Sequence, residues 1–181
     1  TLSRTNETDF TTTTRYRYDA NTGLLKLKVE QEGDANEVFT TYPDYDNFGN
    51  PEQIEVSPDS VNGRNIFYEY DDTGRMVTKV INELEHYTEF TNDYGLGVVI
   101  QTEDHNELVT EYTYDEFGRK TRTDFPDGTW TNTLSDWAID GNQLYYVKSS
   151  AGGKGDLIKY FDKLGREILS KTVNVNGDSV F

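Results

Sequence analysis

One short pattern of residues recurs along most of the chain and limits what it can fold into. The pattern is an aromatic residue, Asp, two variable residues, Gly, and then Arg or Asn, and residues 45–50, 70–75, 114–119 and 161–166 carry it in full. Residues 18–23 carry it with one insertion, and two weaker copies fall between. The seven anchoring glycines are spaced 21 to 26 residues apart, at Gly23, Gly49, Gly74, Gly97, Gly118, Gly141 and Gly165. Self-similarity at a period of this length is typical of a repeat architecture.

Each repeat has the residue types of a β-hairpin. Aromatic and polar residues alternate before the Asp, as in Tyr68-Glu69-Tyr70, and this period of two predicts a half-buried strand. Asp suits the first position of a type I turn, and Gly suits a position with positive φ. The structural repeat residues are Tyr18, Asp19, Gly23, Tyr45, Asp46, Gly49, Tyr70, Asp71, Gly74, Arg75, Tyr114, Asp115, Gly118, Arg119, Phe161, Asp162, Gly165 and Arg166.

The number of hairpins predicts the architecture. Seven hairpins give about 12–14 strands, and a flat sheet of 14 strands would be roughly 65 Å wide. Open sheets of more than about 10 strands curl or split. We therefore expect an all-β fold, a curved antiparallel meander in which residues 1–181 form a single repeat array cut from a longer chain. Tyr, Phe and Val would line one face, and Thr, Glu and Lys the other. The open strand edges at its ends would allow self-association.

Charge and composition exclude several classes of function. The formal net charge of −16 repels phosphate backbones, so we expect no nucleic-acid partner. No apolar run approaches the roughly 20 residues of a membrane span, so we expect no membrane insertion. The chain has no Cys, which removes disulfides, thiolate nucleophiles and Cys-based zinc sites.

No residue pattern predicts catalysis, a metal site or a cofactor. The repeated Asp is a turn-capping residue rather than a calcium ligand, because none of these turns supplies the run of oxygen ligands that a calcium loop needs. An Arg after the turn, such as Arg119, is expected to cover an aromatic ring or to pair with the carboxylate of an adjacent turn. His86 and His105 stand alone, without a nucleophile pattern nearby. We predict that the chain is not an enzyme.

The aromatic residues of the least regular repeat are the weak candidates for a binding site. They are Trp130, Trp137, Tyr145 and Tyr146. Exposed rings of this kind stack against sugars, whereas aromatics at a spacing of two more often pack across strands. The alternative function for the chain is therefore an extracellular adhesion or carbohydrate-binding module.

The repeated Tyr-x-Tyr-Asp-x-x-Gly-Arg, with the intervening Pro126-Asp127-Gly128-Thr129, resembles the YD repeats of the Rhs family. The resemblance covers essentially the whole chain. It implies a segment of a hollow β-shell that encloses a toxin or another passenger polypeptide, as in Rhs toxins and the B and C components of Tc toxins. It also implies secretion or display on a bacterial surface, with the rest of the parent shell and the passenger as partners. The family's self-cleaving segment has no match here, so the resemblance assigns no catalytic residue.

Overall fold

The computed structural model describes residues 12–58, 63–138, 141–174 and 179–180, and within these ranges every regular element is a β-strand. The strands are β1 (Thr14–Tyr18), β2 (Leu25–Glu30), β3 (Val38–Thr41), β4 (Gln53–Ser57), β5 (Arg64–Tyr70), β6 (Val77–Asn82), β7 (Tyr87–Asp93), β8 (Val98–Asp104), β9 (Val109–Tyr114), β10 (Lys120–Asp124), β11 (Trp130–Trp137), β12 (Tyr145–Ala151), β13 (Asp156–Phe161), β14 (Glu167–Val173) and β15 (Ser179–Val180). Over the same residues, no helix has the length and apolar character of a membrane span.

The chain divides into two compact units, Thr1–Tyr87 and Thr88–Phe181. In the first unit, β1 to β6 pair in sequence order, and every pair is antiparallel. In the second unit, β7 to β15 pair in the same way. The prediction of an all-β antiparallel meander of hairpins is confirmed, with fifteen strands described, including the two-residue β15.

A register shift lies next to the repeated aromatic residue in several hairpins. Tyr70 lies opposite Val77 and Glu69 lies opposite Lys79, so Thr78 is an extra residue on β6. The strand that follows Gly165 carries a corresponding shift beside Phe161. An extra residue of this kind bends the strand and increases its local twist.

The sheet contains few fully buried side chains. Val29 is the one large apolar side chain with no exposed surface among the described residues, and the buried polar residues there are Ser57 and Thr123. The described strands of each unit contact their sequence neighbours and no other strand. Stability in such a sheet comes from cross-strand pairs and turns rather than from a thick core.

The two faces of the second unit are less strictly divided than the alternation predicts. On one face of β7–β10, Phe90 lies opposite Thr102, and Tyr112 lies opposite Thr123. The opposite face carries Glu89 and Glu103 as a directly opposed pair. Thr102 and Thr123 therefore share the aromatic face, whereas the residue types predict them on the other one. The hydroxyl groups of Thr102 and Tyr112 lie 3.2 Å apart, so a hydrogen bond between them accommodates the Thr on that face.

Two turns at the other end of the hairpins, at Glu85 and Glu107, reuse the same geometry without Gly. In the turn from Asp104 to Leu108, the Asp104 N–H donates to the Leu108 carbonyl at 3.1 Å and the Glu107 N–H donates to the Asp104 carbonyl at 2.9 Å. Glu107 has φ 62°, at the position that Gly118 occupies in the turn after β9. A left-handed conformation costs a residue with a Cβ roughly 1–2 kcal/mol.

Glu107→Gly is therefore expected to raise the free energy of unfolding by about 0.5–1 kcal/mol, because the relief of strain exceeds the added entropy of the unfolded chain. Urea unfolding followed by tryptophan fluorescence measures this. Glu116→Gly is the matched control, since Glu116 is not among the residues with positive φ. That substitution should lower the free energy of unfolding, and equal effects from both would contradict the strain at Glu107.

Candidate functional site

The aspartate of a repeat, where present, caps its own turn. In the turn after β9, one oxygen of Asp115 accepts from the N–H groups of Phe117 at 3.0 Å and Arg119 at 2.9 Å. The Gly118 N–H donates to the Asp115 carbonyl at 3.0 Å and closes the loop. The same cap, with acceptance from the residues two and four positions on, occurs at Asp46, Asp71 and Asp162. Asp19, in the repeat with the insertion, accepts from Asn21 and Thr22.

These hydrogen bonds lower the pKa of the capping carboxyl groups. At Asp162, the backbone N–H of Arg166 makes the largest contribution and its guanidinium adds to it. At Asp115, desolvation raises the pKa, but the N–H and guanidinium groups of Arg119 outweigh it and the net shift is downward. The turn thus holds these side chains as carboxylates, which accept hydrogen bonds and have no proton to donate.

The residue after the repeated Gly reinforces the cap. The Arg119 Nε donates to the second oxygen of Asp115 at 2.6 Å, and Arg166 pairs with Asp162 in the same way. The expected pairing with an adjacent turn is thus a pairing within the same turn at these two positions. Asn50 replaces Arg in its repeat, and its Nδ2 contacts Asp46 at 2.9 Å and the Gly74 carbonyl of the next turn at 2.7 Å.

In three repeats, the repeated tyrosine links its hairpin to the one before it. Tyr70 donates from its hydroxyl to the Pro51 carbonyl at 3.1 Å, and Tyr114 donates to the Val99 carbonyl at 2.7 Å. Tyr45 donates to the Leu25 carbonyl. In all three cases the acceptor lies two residues after the Gly of the preceding repeat. Burial raises the pKa of all three hydroxyl groups, which keeps them protonated as donors.

Repeats without this link depart from the pattern in residue type or position. Tyr18 belongs to the first repeat, no described hairpin precedes it, and its ring is 62 % exposed. Phe161 has no hydroxyl, and its ring stacks on Tyr145 at 4.8 Å instead. Trp137 stands where the sixth repeat would have its tyrosine, followed by Ala138 where the others have Asp. The residue pattern did not predict the link, although the preference for Tyr over Phe was a signal of it.

Tyr70→Phe is expected to lower the free energy of unfolding by about 1 kcal/mol, because the Pro51 carbonyl loses its donor in a half-buried position. Denaturant unfolding measures the loss. Tyr18→Phe removes a hydroxyl group with no hydrogen bond described, so it serves as the control and should leave stability unchanged. Equal losses in the two variants would show that the hydroxyl link does not stabilise the sheet.

The four candidate binding residues do not form one site. Trp137 and Tyr145 are directly opposite on β11 and β12 and share a face. Tyr146 is on the other face, with Asp136 and Tyr160 opposite it. Trp130 lies at the far end of β11, where the guanidinium of Arg122 covers its ring at 4.8 Å.

A groove next to Trp137 and Tyr145 has space for a ligand. Its volume is about 700 Å³, and it is lined by Phe117, Arg119, Ser135, Trp137, Leu144 and Tyr145, together with Asp136. The rings of Phe117 and Trp137 are 79 % and 69 % exposed. The sequence did not single out Phe117 or Leu144 for this site, because neither residue type indicates binding by itself.

Groups that could hold a metal ion are not assembled in the described part of the chain, where no cluster of three or more His, Asp or Glu residues has the required arrangement. His86 and His105 lie exposed in two different turns, and each makes local interactions there. The side-chain hydrogen bonds around the turns cap the turns and link successive hairpins.

Comparison with known proteins finds likeness in structure but not in sequence. No protein-family model and no curated protein matches the chain. The crystal structure of TcdB2-TccC3-Cdc42 matches 90% of this chain with a TM-score of 0.56 and 12% sequence identity. The crystal structure of TcdB2-TccC3-TEV matches 91% with a TM-score of 0.54 and 11% identity. The chain spans 10% of the length of each matched chain. Both are Tc-toxin structures with an Rhs/YD shell, so the resemblance indicated by the repeats is confirmed at the level of the fold.

Proposed function

We propose that the chain is a structural segment of a YD-repeat shell that encloses a toxin or another passenger polypeptide, with no catalysis of its own. The fold likeness to shell structures over 90% of the chain is the observation that carries the proposal. The partners would be the remaining repeats of the parent shell and the enclosed passenger. The parent would be secreted or displayed on a bacterial surface.

The links between hairpins support a wall built by repetition. The hydroxyl groups of Tyr45, Tyr70 and Tyr114 join their repeats to the preceding ones, and the repeated aspartates close their own turns, so a further repeat of this type adds the same contacts. The stability of such an array is approximately a sum of repeat and nearest-neighbour terms. A wall of this kind extends by adding hairpins, and it needs neither a second layer nor a thick core. We propose that the seven repeats form one continuous array.

The thin sheet also supports a role that depends on neighbouring parts of a larger assembly. With Val29 as the one fully buried large apolar residue of the described chain, an isolated segment would be only marginally stable. Its terminal strands would present unpaired N–H and C=O groups, which pair with the next repeats in a complete shell.

Limited proteolysis of the natural full-length polypeptide that contains this chain tests the proposal. Peptide mapping by mass spectrometry should show that the passenger region is cleaved much more slowly than the exposed loops of the shell. The Gly74→Ala variant should speed cleavage of the passenger, because a Cβ at this position collides with Phe48 of the adjacent turn. A passenger region cut as fast as exposed loops in the natural protein would refute enclosure.

A further inference from the structure

The groove beside Trp137 lies where the repeat pattern breaks. Trp137 replaces the linking tyrosine and Ala138 replaces the capping aspartate. The Ala138 N–H donates to the carbonyl of Leu144. In the other repeats the Asp N–H donates to a carbonyl only four or five residues further along, so the loop after Trp137 is longer. This repeat thus lacks both the tyrosine hydroxyl bond to the preceding hairpin and the aspartate cap of its own turn. The departure calls for an explanation other than sheet stability.

The corresponding position in the first unit is filled. There the ring of Phe48 covers Gly74 so closely that a Cβ on Gly74 would lie 2.3 Å from it. In the second unit, Phe117 occupies the place of Phe48, yet no atom lies within 4 Å of the place where a Cβ on Gly141 would be. The Phe117 ring instead carries the guanidinium of Arg119, 5.4 Å from its centroid, and no described turn packs on it as Gly74 does on Phe48. The space around a Cβ is also open at Gly97, Gly118 and Gly165, so the close packing on Gly74 is the exception among the repeat glycines.

Two exposed aromatic rings border the groove. Trp137 is 69 % exposed, whereas Tyr45, Tyr70 and Tyr114 are half-buried at the same position of their repeats. Its cross-strand partner Tyr145 is held in place by stacking on Phe161, with an angle of 9° between the rings. Phe117 lines the same groove as this pair. Exposed rings on a rigid strand pair offer flat apolar surfaces without further ordering of the protein.

The charged groups of the groove indicate the chemistry of the ligand. The Arg119 guanidinium is already paired with Asp115 at 2.6 Å, and the chain carries a net charge of −16, so an anion is disfavoured. The Ser135 hydroxyl, on the same face as Trp137, and the N–H groups of Arg119 that do not bind Asp115 still exchange hydrogen bonds with hydroxyl groups. A neutral molecule with an apolar face and a rim of hydroxyl groups satisfies both features. The volume of about 700 Å³ is within the usual range for small-ligand sites.

We propose that this groove is a binding site for a neutral saccharide. The Trp137 and Phe117 rings stack against the apolar faces of sugar rings, and Ser135 and Arg119 bind the hydroxyl groups. Trp130 and Tyr146 take no part. The site does not depend on the enclosure of a passenger, so its test is separate from that of the shell.

Trp130→Phe leaves Trp137 as the single tryptophan and makes its fluorescence a direct report on the groove. Titration of this variant with maltohexaose, cellohexaose and β-1,4-galactohexaose, each to about 20 mM, should give a saturable change with at least one of them. Calorimetry with the unmodified chain should detect the same ligand. Trp137→Ala should weaken binding at least about tenfold, and Phe117→Ala should weaken it by several-fold. Both variants must keep the β-sheet circular dichroism spectrum of the parent chain.

Tyr146→Ala is the matched control on the opposite face and should bind as the parent chain does. Absence of saturable binding to all three saccharides would overturn the proposal. Equal weakening by Trp137→Ala and Tyr146→Ala would also overturn it. A proline-rich decapeptide is titrated in parallel, since aromatic grooves also bind such peptides. Saturation by the peptide and by none of the saccharides would show a peptide site instead.

Discussion

Gly74→Ala is expected to lower the free energy of unfolding by about 2–3 kcal/mol, a larger effect than that of Tyr70→Phe or Glu107→Gly. Two costs combine at this position. Gly74 has φ 66°, a conformation that a residue with a Cβ adopts only with strain. An added Cβ would lie 2.3 to 2.8 Å from Cδ2, Cγ and Cβ of Phe48, so the ring and its attachment to the backbone must both move. Chemical denaturation monitored by circular dichroism measures the loss.

Gly118→Ala separates these two costs. Gly118 has a similar φ of 74°, but nothing lies within 4 Å of the place of a Cβ. That variant should lose only about 1 kcal/mol, from the backbone conformation alone. Phe48→Ala in the Gly74→Ala background should recover part of the difference, because the collision is gone. If Gly74→Ala and Gly118→Ala are equally destabilising, the packing of Phe48 on the next turn contributes nothing.

Acid is expected to destabilise the whole sheet between about pH 5 and pH 2. Nine aspartates in the described residues have lowered pKa values, and five of them cap the repeated turns. A lowered pKa in the folded chain means that the stabilising contribution is complete above the unfolded value of about 3.9 and is lost as pH falls through the folded value. The urea midpoint should therefore be flat above about pH 5 and fall steeply below about pH 4.

Variants at two caps distinguish this cause from the general effect of net charge. The double change of Asp115 and Asp162 to Asn keeps the oxygen that accepts the backbone N–H groups but removes the titration. Its urea midpoint should depend less on pH than that of the parent chain. Asp72→Asn and Glu83→Asn together remove the same charge at residues for which no capping bond is described, and should leave the pH profile unchanged. A parent profile that stays flat down to about pH 2 would contradict the role of the caps.

The repeat and its hairpins could be predicted from residue types alone because the interactions are local. The aspartate at position 115 and the glycine at 118 interact within five residues, and turn chemistry identifies them without knowledge of any neighbour. The turn at Glu107 was not predicted, because turn positions with a positive φ are usually occupied by Gly rather than Glu. Asp104 and Asn106 before it carried a weaker signal of the same cap.

The candidate binding residues show where such reasoning reaches its limit. Trp130 and Trp137 are seven residues apart on one strand, and an odd separation places them on opposite faces. Because side chains alternate between the two faces along a strand, Trp130 and Trp137 lie on opposite faces, and so do Tyr145 and Tyr146. The contribution of Phe117 depends on the turn of a preceding hairpin, which no local pattern specifies.

The period, the strand and turn types and the capping of the turns follow from residue types alone, because these depend on alternation and on contacts within a few residues. The folded arrangement of the hairpins establishes what each linking tyrosine hydroxyl binds, that Phe48 packs on Gly74, and that Phe117 lines the groove beside Trp137. Those features arise from the register between successive hairpins. Register brings together residues about 20 positions apart, and their residue types do not specify the distance between them.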